Sequence, residues 1–208
     1  MPSPDFDLCL VTDRSQTGGR DLLAVLEQAL DGGVRAIQLR EKDLSGKSLF
    51  VLAEKTQRLC ERYEASLLIN DRIDVALAVD AAGVQLGKFS LPIPVARALL
   101  GAKRLIGASV HSLDESQRAE SSGADFIVFG PVYFTPSKAE FGAPQGIAAL
   151  KKVVAMASVP VYAIGGIKDE HVAEVRRVGT RGVALISAII SAPMPREAAQ
   201  TMTRLLRR

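Results

Sequence analysis

The chain has 208 residues, enough for one substantial hydrophobic core and slightly few for an eight-stranded α/β barrel. Hydrophobic residues make up 48% of it, which excludes a disordered chain, while a formal charge of +3 and 5% aromatics with no Trp offer nucleic acid little purchase. No apolar run approaches membrane-spanning length and Met1–Asp5 lacks a signal-peptide pattern, so a cytoplasmic protein with no nucleic-acid or membrane partner is expected.

Phe6 to Val11 reads as the first strand, followed by a polar loop through Thr12, Asp13 and Gly18-Gly19. Asp21 to Leu30 carries apolar residues at helical spacing and stops at Gly32-Gly33. Val34 to Leu39 is the second strand, and Ser45 can cap a long helix through about Tyr63. Leu67 to Ile69 is the third strand, ending at Asn70-Asp71, with a short helix over Ile73 to Val79. Gly83 to Leu86 and the helix Pro92 to Leu100 follow, with proline near the helix start. Leu105 to Ser109 is the fifth strand; Ser112 can cap the next helix, with Glu115 at capping-box spacing. Asp125 to Phe129 is the sixth strand. The long loop Gly130 to Gly146 is expected to act as a lid that orders over ligand. Helix Ile147 to Met156, strand Val161 to Ile164, helix Asp169 to Val178, a strand from Gly182 and helix Pro195 to Leu206 complete the chain. Cys9 falls in a strand and Cys60 in a helix, without metal-ligand spacing, as small core residues of a reducing compartment.

Eight strands alternating with helices, with no linker between them, predict a parallel sheet closed into a TIM (β/α)8 barrel over one domain, 1–208. An open doubly wound sheet is the alternative, weakened by the missing dinucleotide fingerprint after the first strand. Polar residues cluster just past the strand ends: Gln38, Arg40 and Lys42; Asn70 and Asp71; Lys88 and Ser90; Ser109 and His111; Thr135, Ser137 and Lys138; Gly165 and Gly166; Ser187. A barrel brings these onto the one face that carries activity. Gly165-Gly166 and Ser187, opening helices after neighbouring strands, suit a backbone phosphate cradle. The same glycines would also serve a plain tight turn. Together the cluster exceeds what one phosphate needs, and one diphosphate plus one monophosphate account for it. Asp71 is then available for Mg²⁺.

Gln38-Leu39-Arg40-Glu41-Lys42-Asp43, Leu68-Ile69-Asn70-Asp71-Arg72, Gly83-Val84-Gln85-Leu86-Gly87, Thr135-Pro136-Ser137-Lys138, Pro144-Gln145-Gly146 and Ala163-Ile164-Gly165-Gly166-Ile167 resemble the thiamine phosphate synthase/TenI family, in order along nearly the whole chain. The resemblance implies a TIM barrel of thiamine biosynthesis. Its synthases join a hydroxymethylpyrimidine diphosphate to a thiazole phosphate with Mg²⁺; its TenI branch includes a tautomerase that aromatises the thiazole phosphate. Carried over, Gln38, Arg40, Lys42, Ser109 and Lys138 match the diphosphate side, Asn70 a pyrimidine and diphosphate contact, and Asp71 a Mg²⁺ ligand. Thr135 and Ser137 match the hydroxyl pair at the thiazole phosphate, and Gly165, Ile186 and Ser187 the backbone phosphate site. One departure stands out: the family's Gly-Gln-x-Asp after the fourth strand reads Gly87-Lys88-Phe89-Ser90 here, replacing a second Mg²⁺-binding aspartate with serine.

The leading reading is therefore a thiamine phosphate synthase. The tautomerase is the runner-up, with His111 as its proton carrier, since imidazole suits proton transfer near neutral pH. A capping or packing role for His111 stays open, as does a non-catalytic, phosphate-sensing relative. A different phosphate-binding barrel isomerase would share Gly165-Gly166 but leave Gln38-Arg40-Lys42 and Asn70-Asp71 unexplained.

Overall fold

The computed structural model describes residues 2–135 and 143–207. Its eight strands form a closed barrel in sequence order, every neighbouring pair parallel. They are β1 (Leu8–Val11), β2 (Ala36–Leu39), β3 (Ser66–Asn70), β4 (Gly83–Leu86), β5 (Leu105–Val110), β6 (Phe126–Phe129), β7 (Val161–Ile164) and β8 (Gly182–Leu185). Helices α1 (Leu22–Asp31), α2 (Gly46–Arg62), α3 (Ile73–Ala78), α4 (Ile93–Leu100), α5 (Leu113–Ser121), α6 (Gly146–Met156), α7 (Asp169–Arg177), α8 (Ser187–Ile190) and α9 (Pro195–Leu206) alternate with them. None of the described helices is long and apolar enough to cross a membrane.

The strands are apolar on both faces because each face meets a different core. Leu8, Leu10, Ile37, Leu39, Leu67, Ile69, Val84, Leu86 and Ile106 belong to the outer core against the helices. The alternate positions, among them Cys9, Val11, Ala36, Leu68, Leu105, Phe126, Val128, Tyr162 and Ala184, form a separate cluster that fills the barrel. Phe6 plugs its lower end, with the Tyr162 hydroxyl donating to the Phe6 carbonyl at 2.6 Å and the Phe126 ring 6.0 Å away, edge on. This plug explains why β1 begins at Leu8 and not at Phe6: the first residue of the expected strand turns under the barrel instead of joining the ladder.

Local signals place most helices. Ser45 accepts from the Ser48 N–H at 3.2 Å and Ser112 from the Glu115 N–H at 3.1 Å, as N-caps do. Two details depart from the expectation. A 3₁₀ turn, Arg14–Gln16, occupies the loop after β1, with Asp13 accepting from Ser15 N–H at 3.1 Å. Glu115 does not act as a capping-box glutamate for Ser112. Its carboxylate accepts from the His111 N–H at 2.7 Å, one residue earlier. Cys9 and Cys60 are buried, and burial pushes both thiols up to about 12, so neither is a thiolate at neutral pH.

Candidate functional site

The inward positions turn polar only at the C-terminal end of the barrel. Gln38 on β2, Asn70 on β3, Gln85 on β4 and Ser109 on β5 each follow an outward apolar residue, so all four side chains face the interior. Gln38 Nε2 donates to Asn70 Oδ1 at 2.9 Å, and Asn70 Nδ2 donates to Asp71 Oδ2 at 2.7 Å. Gln85 Nε2 donates to Ser109 Oγ at 2.9 Å. Gly107 makes room for that amide: a Cβ there would overlap Gln85 Oε1 and the Phe126 ring. Gln85 is a member of this polar ring that the sequence reading left without a role, although its place one step before Leu86 in an alternating strand marks it as inward.

Asp71 sits just past β3 with φ at 62°, a left-handed conformation that aspartate tolerates better than most residues. Its second oxygen, Oδ1, accepts from the Ser90 hydroxyl, and Ser90 Oγ accepts from the Gly87 N–H at 2.6 Å. The turn Gly87–Ser90 is therefore fastened to Asp71. Beside it the Lys88 ammonium lies 5.7 Å from the Phe89 ring centroid, and that ring is exposed. Asp71 and Ser90 bring oxygen atoms together here, whereas Asn70 turns its Nδ2 amide toward Asp71 and its oxygen toward Gln38. Among the described residues no three His, Cys, Asp or Glu side chains converge on a metal position. One carboxylate and a hydroxyl suit a hard dication that takes its other ligands from phosphate oxygens and water.

Arg40 and Lys42 follow β2 on a loop held by neighbours. The Arg40 N–H donates to Thr12 Oγ1 at 2.9 Å, and Thr12 is fully buried. The Arg14 N–H reaches both oxygens of buried Glu41 at 3.2 and 3.3 Å, and Arg14 Nη1 donates to Asp43 Oδ1 at 2.8 Å. Arg14 pairs with Glu41 and Asp43, and among the described residues Arg40 and Lys42 form no salt bridge, although the Arg40 charge acts on the Asp13 carboxylate. Both line an open cleft of about 700 Å³ between the loops after β1 and β2. Its lining balances Asp13, Asp21, Glu41 and Asp43 against Arg14, Arg20, Arg40 and Lys42, and it includes neither Asp71 nor the glycines after β7.

The end of β7 contributes backbone. Gly165 and Gly166 have φ of 97° and 64°, and a Cβ on Gly166 would collide with the Phe134 carbonyl oxygen. These glycines therefore do more than turn the chain: they let the segment after β6 lie directly against the end of β7. Val132 N–H donates to Ile164 O at 2.9 Å and Tyr133 N–H to Gly165 O at 3.0 Å. Among the described residues the amides of Gly166 and Ser187 donate to no backbone acceptor. Ile186 precedes α8 as its N-cap residue, and Ser187 at the first helical position is exposed. Thr135 is half-buried at the end of the described segment, whereas Ser137, Lys138 and the body of the expected lid lie outside the described residues.

His111 stands apart from the polar ring, exposed at the head of α5, with Nδ1 3.0 Å from Glu115 Oε2. The pairing, together with the His111 amide, holds the Glu115 carboxyl below its usual range against the opposing effect of burial.

The thiamine monophosphate synthase family profile matches residues 8–189. The chain belongs to that family. A putative thiamine-phosphate synthase of Geobacter sulfurreducens is 54% identical over 206 residues, covering 99% of this chain and 97% of that one. The thiamine-phosphate synthase of Syntrophomonas wolfei subsp. wolfei is 42% identical over 192 residues, 92% of either chain. Thiamine phosphate pyrophosphorylase from Pyrococcus furiosus superposes with a TM-score of 0.89 at 37% identity, covering 97% of this chain and 96% of that one. Family membership and barrel topology agree.

Proposed function

We propose that this chain is a transferase of thiamine biosynthesis that joins hydroxymethylpyrimidine diphosphate to thiazole phosphate, giving thiamine phosphate and diphosphate. The observation that carries the reading is the set of fixed polar side chains, Gln38, Asn70, Asp71, Gln85 and Ser109, at the C-terminal end of the barrel in a chain of this family. On this reading Arg40, Lys42 and Asp71 take the diphosphate, and the amides of Gly166 and Ser187, which donate to no backbone acceptor among the described residues, take the monophosphate. A diphosphate needs concentrated cationic charge, whereas a monophosphate is held well by N–H groups at strand ends.

On this reading Gln38, Asn70 and Ser109 orient the pyrimidine and its first phosphate, since the Gln38–Asn70 and Gln85–Ser109 hydrogen bonds already fix their amide and hydroxyl groups. Arg40, Lys42 and Lys138 stabilise negative charge as the carbon–oxygen bond to diphosphate breaks. Asp71 and the Ser90 hydroxyl would hold Mg²⁺, which supplies charge neutralisation on the diphosphate oxygens. Thr135, Ser137, Gly165, Gly166, Ile186 and Ser187 hold the thiazole phosphate, so that the ring nitrogen faces the pyrimidine methylene. No protein nucleophile is required; positioning and charge stabilisation carry the rate. Incubation with both substrates and Mg²⁺ should yield thiamine phosphate, and failure to form it would defeat the reading.

A second reading, thiazole tautomerase, has one observation in its favour: an imidazole paired with a carboxylate, His111 with Glu115, is an acid–base arrangement. The pair is exposed and tied to the start of α5, which suits a local structural role equally. His111→Ala separates the readings, because it should abolish a tautomerase and leave condensation largely intact.

A further inference from the structure

Tyr133, His171 and Glu174 form a cluster that the condensation chemistry does not use. The Tyr133 ring stacks face to face on the His171 imidazole, centroids 3.9 Å apart and planes 10° from parallel. Its hydroxyl donates to Glu174 Oε2 at 2.8 Å. His171 and Glu174 are three residues apart on α7 and so share one helix face. The imidazole is itself held, because Nδ1 accepts from the Lys168 N–H at 3.1 Å. An accepting Nδ1 leaves the proton of the neutral ring on Nε2. Burial first, and then the Glu174 carboxylate, push the Tyr133 phenol up to about 12, so it remains a donor at working pH.

The backbone of Tyr133 is anchored just as firmly. Its N–H donates to Gly165 O at 3.0 Å, and the far end of the same connection returns beside it: Gln145 and Gly146 donate to Pro131 and Val132 carbonyls at 2.8 and 3.1 Å. Thr135 lies two residues beyond Tyr133, and the Phe134 carbonyl closes over Gly166. Any displacement of Tyr133 therefore moves Thr135 and the cover of Gly166 together.

We propose that Tyr133, clamped by His171 and Glu174, is a positioning residue for the thiazole-phosphate side of the site: it sets the course of Phe134 and Thr135 past Gly166. The proposal rests on the condensation reading above. Because small misplacements at a reacting centre cost up to about 100-fold, Tyr133→Ala should raise KM for thiazole phosphate by roughly 10-fold or more, with KM for the pyrimidine diphosphate within about twofold. Tyr133→Phe keeps the stack and should lose only about two- to fivefold. His171→Ala should resemble Tyr133→Ala, and His171→Phe, which restores a stacking face, should recover most of the loss.

Both KM values are measured for each variant, alongside thermal melts. A selective rise in KM for thiazole phosphate with rescue by His171→Phe supports the clamp. An unchanged ratio of the two KM values, or equal rises in both that track a lowered Tm, overturns it, and if Tyr133→Ala does not fold, Tyr133→Phe and His171→Ala decide. A wild-type protein that forms no thiamine phosphate overturns the underlying reading and the proposal with it, whereas normal wild-type turnover with unaffected variants overturns the clamp alone.

Discussion

The Ser90 hydroxyl donates to Asp71 Oδ1, so the turn after β4 is latched onto the carboxylate at the end of β3. A serine in this place keeps an oxygen beside Asp71 without adding a second negative charge. An aspartate would raise the charge of the pair and make its stability depend on a bound cation.

Ser90→Asp should accordingly lower the Mg²⁺ concentration that half-saturates turnover by several-fold. It should also lower Tm in chelator, through repulsion with Asp71, and recover when Mg²⁺ is returned. Asp71→Asn should cut turnover by about 100-fold or more at any Mg²⁺ concentration. Turnover that is unaffected by Asp71→Asn across a Mg²⁺ titration would remove Asp71 from the metal assignment.

Gly166→Ala tests the backbone side. The substitution forces a side chain into a left-handed backbone and against the Phe134 carbonyl. A strain of about 1–3 kcal/mol is expected, together with a selective rise in KM for thiazole phosphate. Crystals soaked in sulfate should show the ion at the Gly166 and Ser187 amides of the unsubstituted protein, and an empty position there at high sulfate would contradict the cradle.

Glu41 is a buried carboxylate that fastens the loop after β1 to the loop carrying Arg40 and Lys42. Its replacement by alanine leaves the Arg14 amide without its acceptor, at a cost of about 1–3 kcal/mol. KM for the pyrimidine diphosphate should rise while KM for thiazole phosphate holds. Equal effects on both substrates would show that Glu41 supports the barrel in general and not this loop.

A stability control lies away from the mouth. Asp125 is buried and takes the Arg97 guanidinium at 2.5 Å and the Ile106 N–H at 2.8 Å. Arg97→Ala strands that carboxylate and should cost about 3–5 kcal/mol in chemical denaturation, with KM values unchanged at permissive temperature. A loss below about 1 kcal/mol would mean that the interior relaxes to solvate Asp125.

What the sequence made legible was local. Ser45 and Ser112 cap their helices as their spacing suggests, and the Gly83–Leu86 strand keeps its expected bounds. The order of strands around the barrel follows from alternation and chirality alone. Contacts between elements were hidden. Glu115 had the spacing of a capping box, yet the His111 amide competes for the same carboxylate. Nothing in the chain near His171 announces Tyr133 as its stacking partner, because the two meet only after β6 and β7 pair. Gly165 and Gly166 read as a turn or an anion cradle, and the need for close backbone approach appears only once Tyr133 and Phe134 are in place.

Release of diphosphate, followed with saturating pyrimidine diphosphate and Mg²⁺ in the presence and absence of thiazole phosphate, tests the account most directly. Condensation at this site predicts release only when thiazole phosphate is present, with one diphosphate formed per thiamine phosphate. Diphosphate release that ignores thiazole phosphate, or isomerisation of the thiazole with no diphosphate formed, would contradict it.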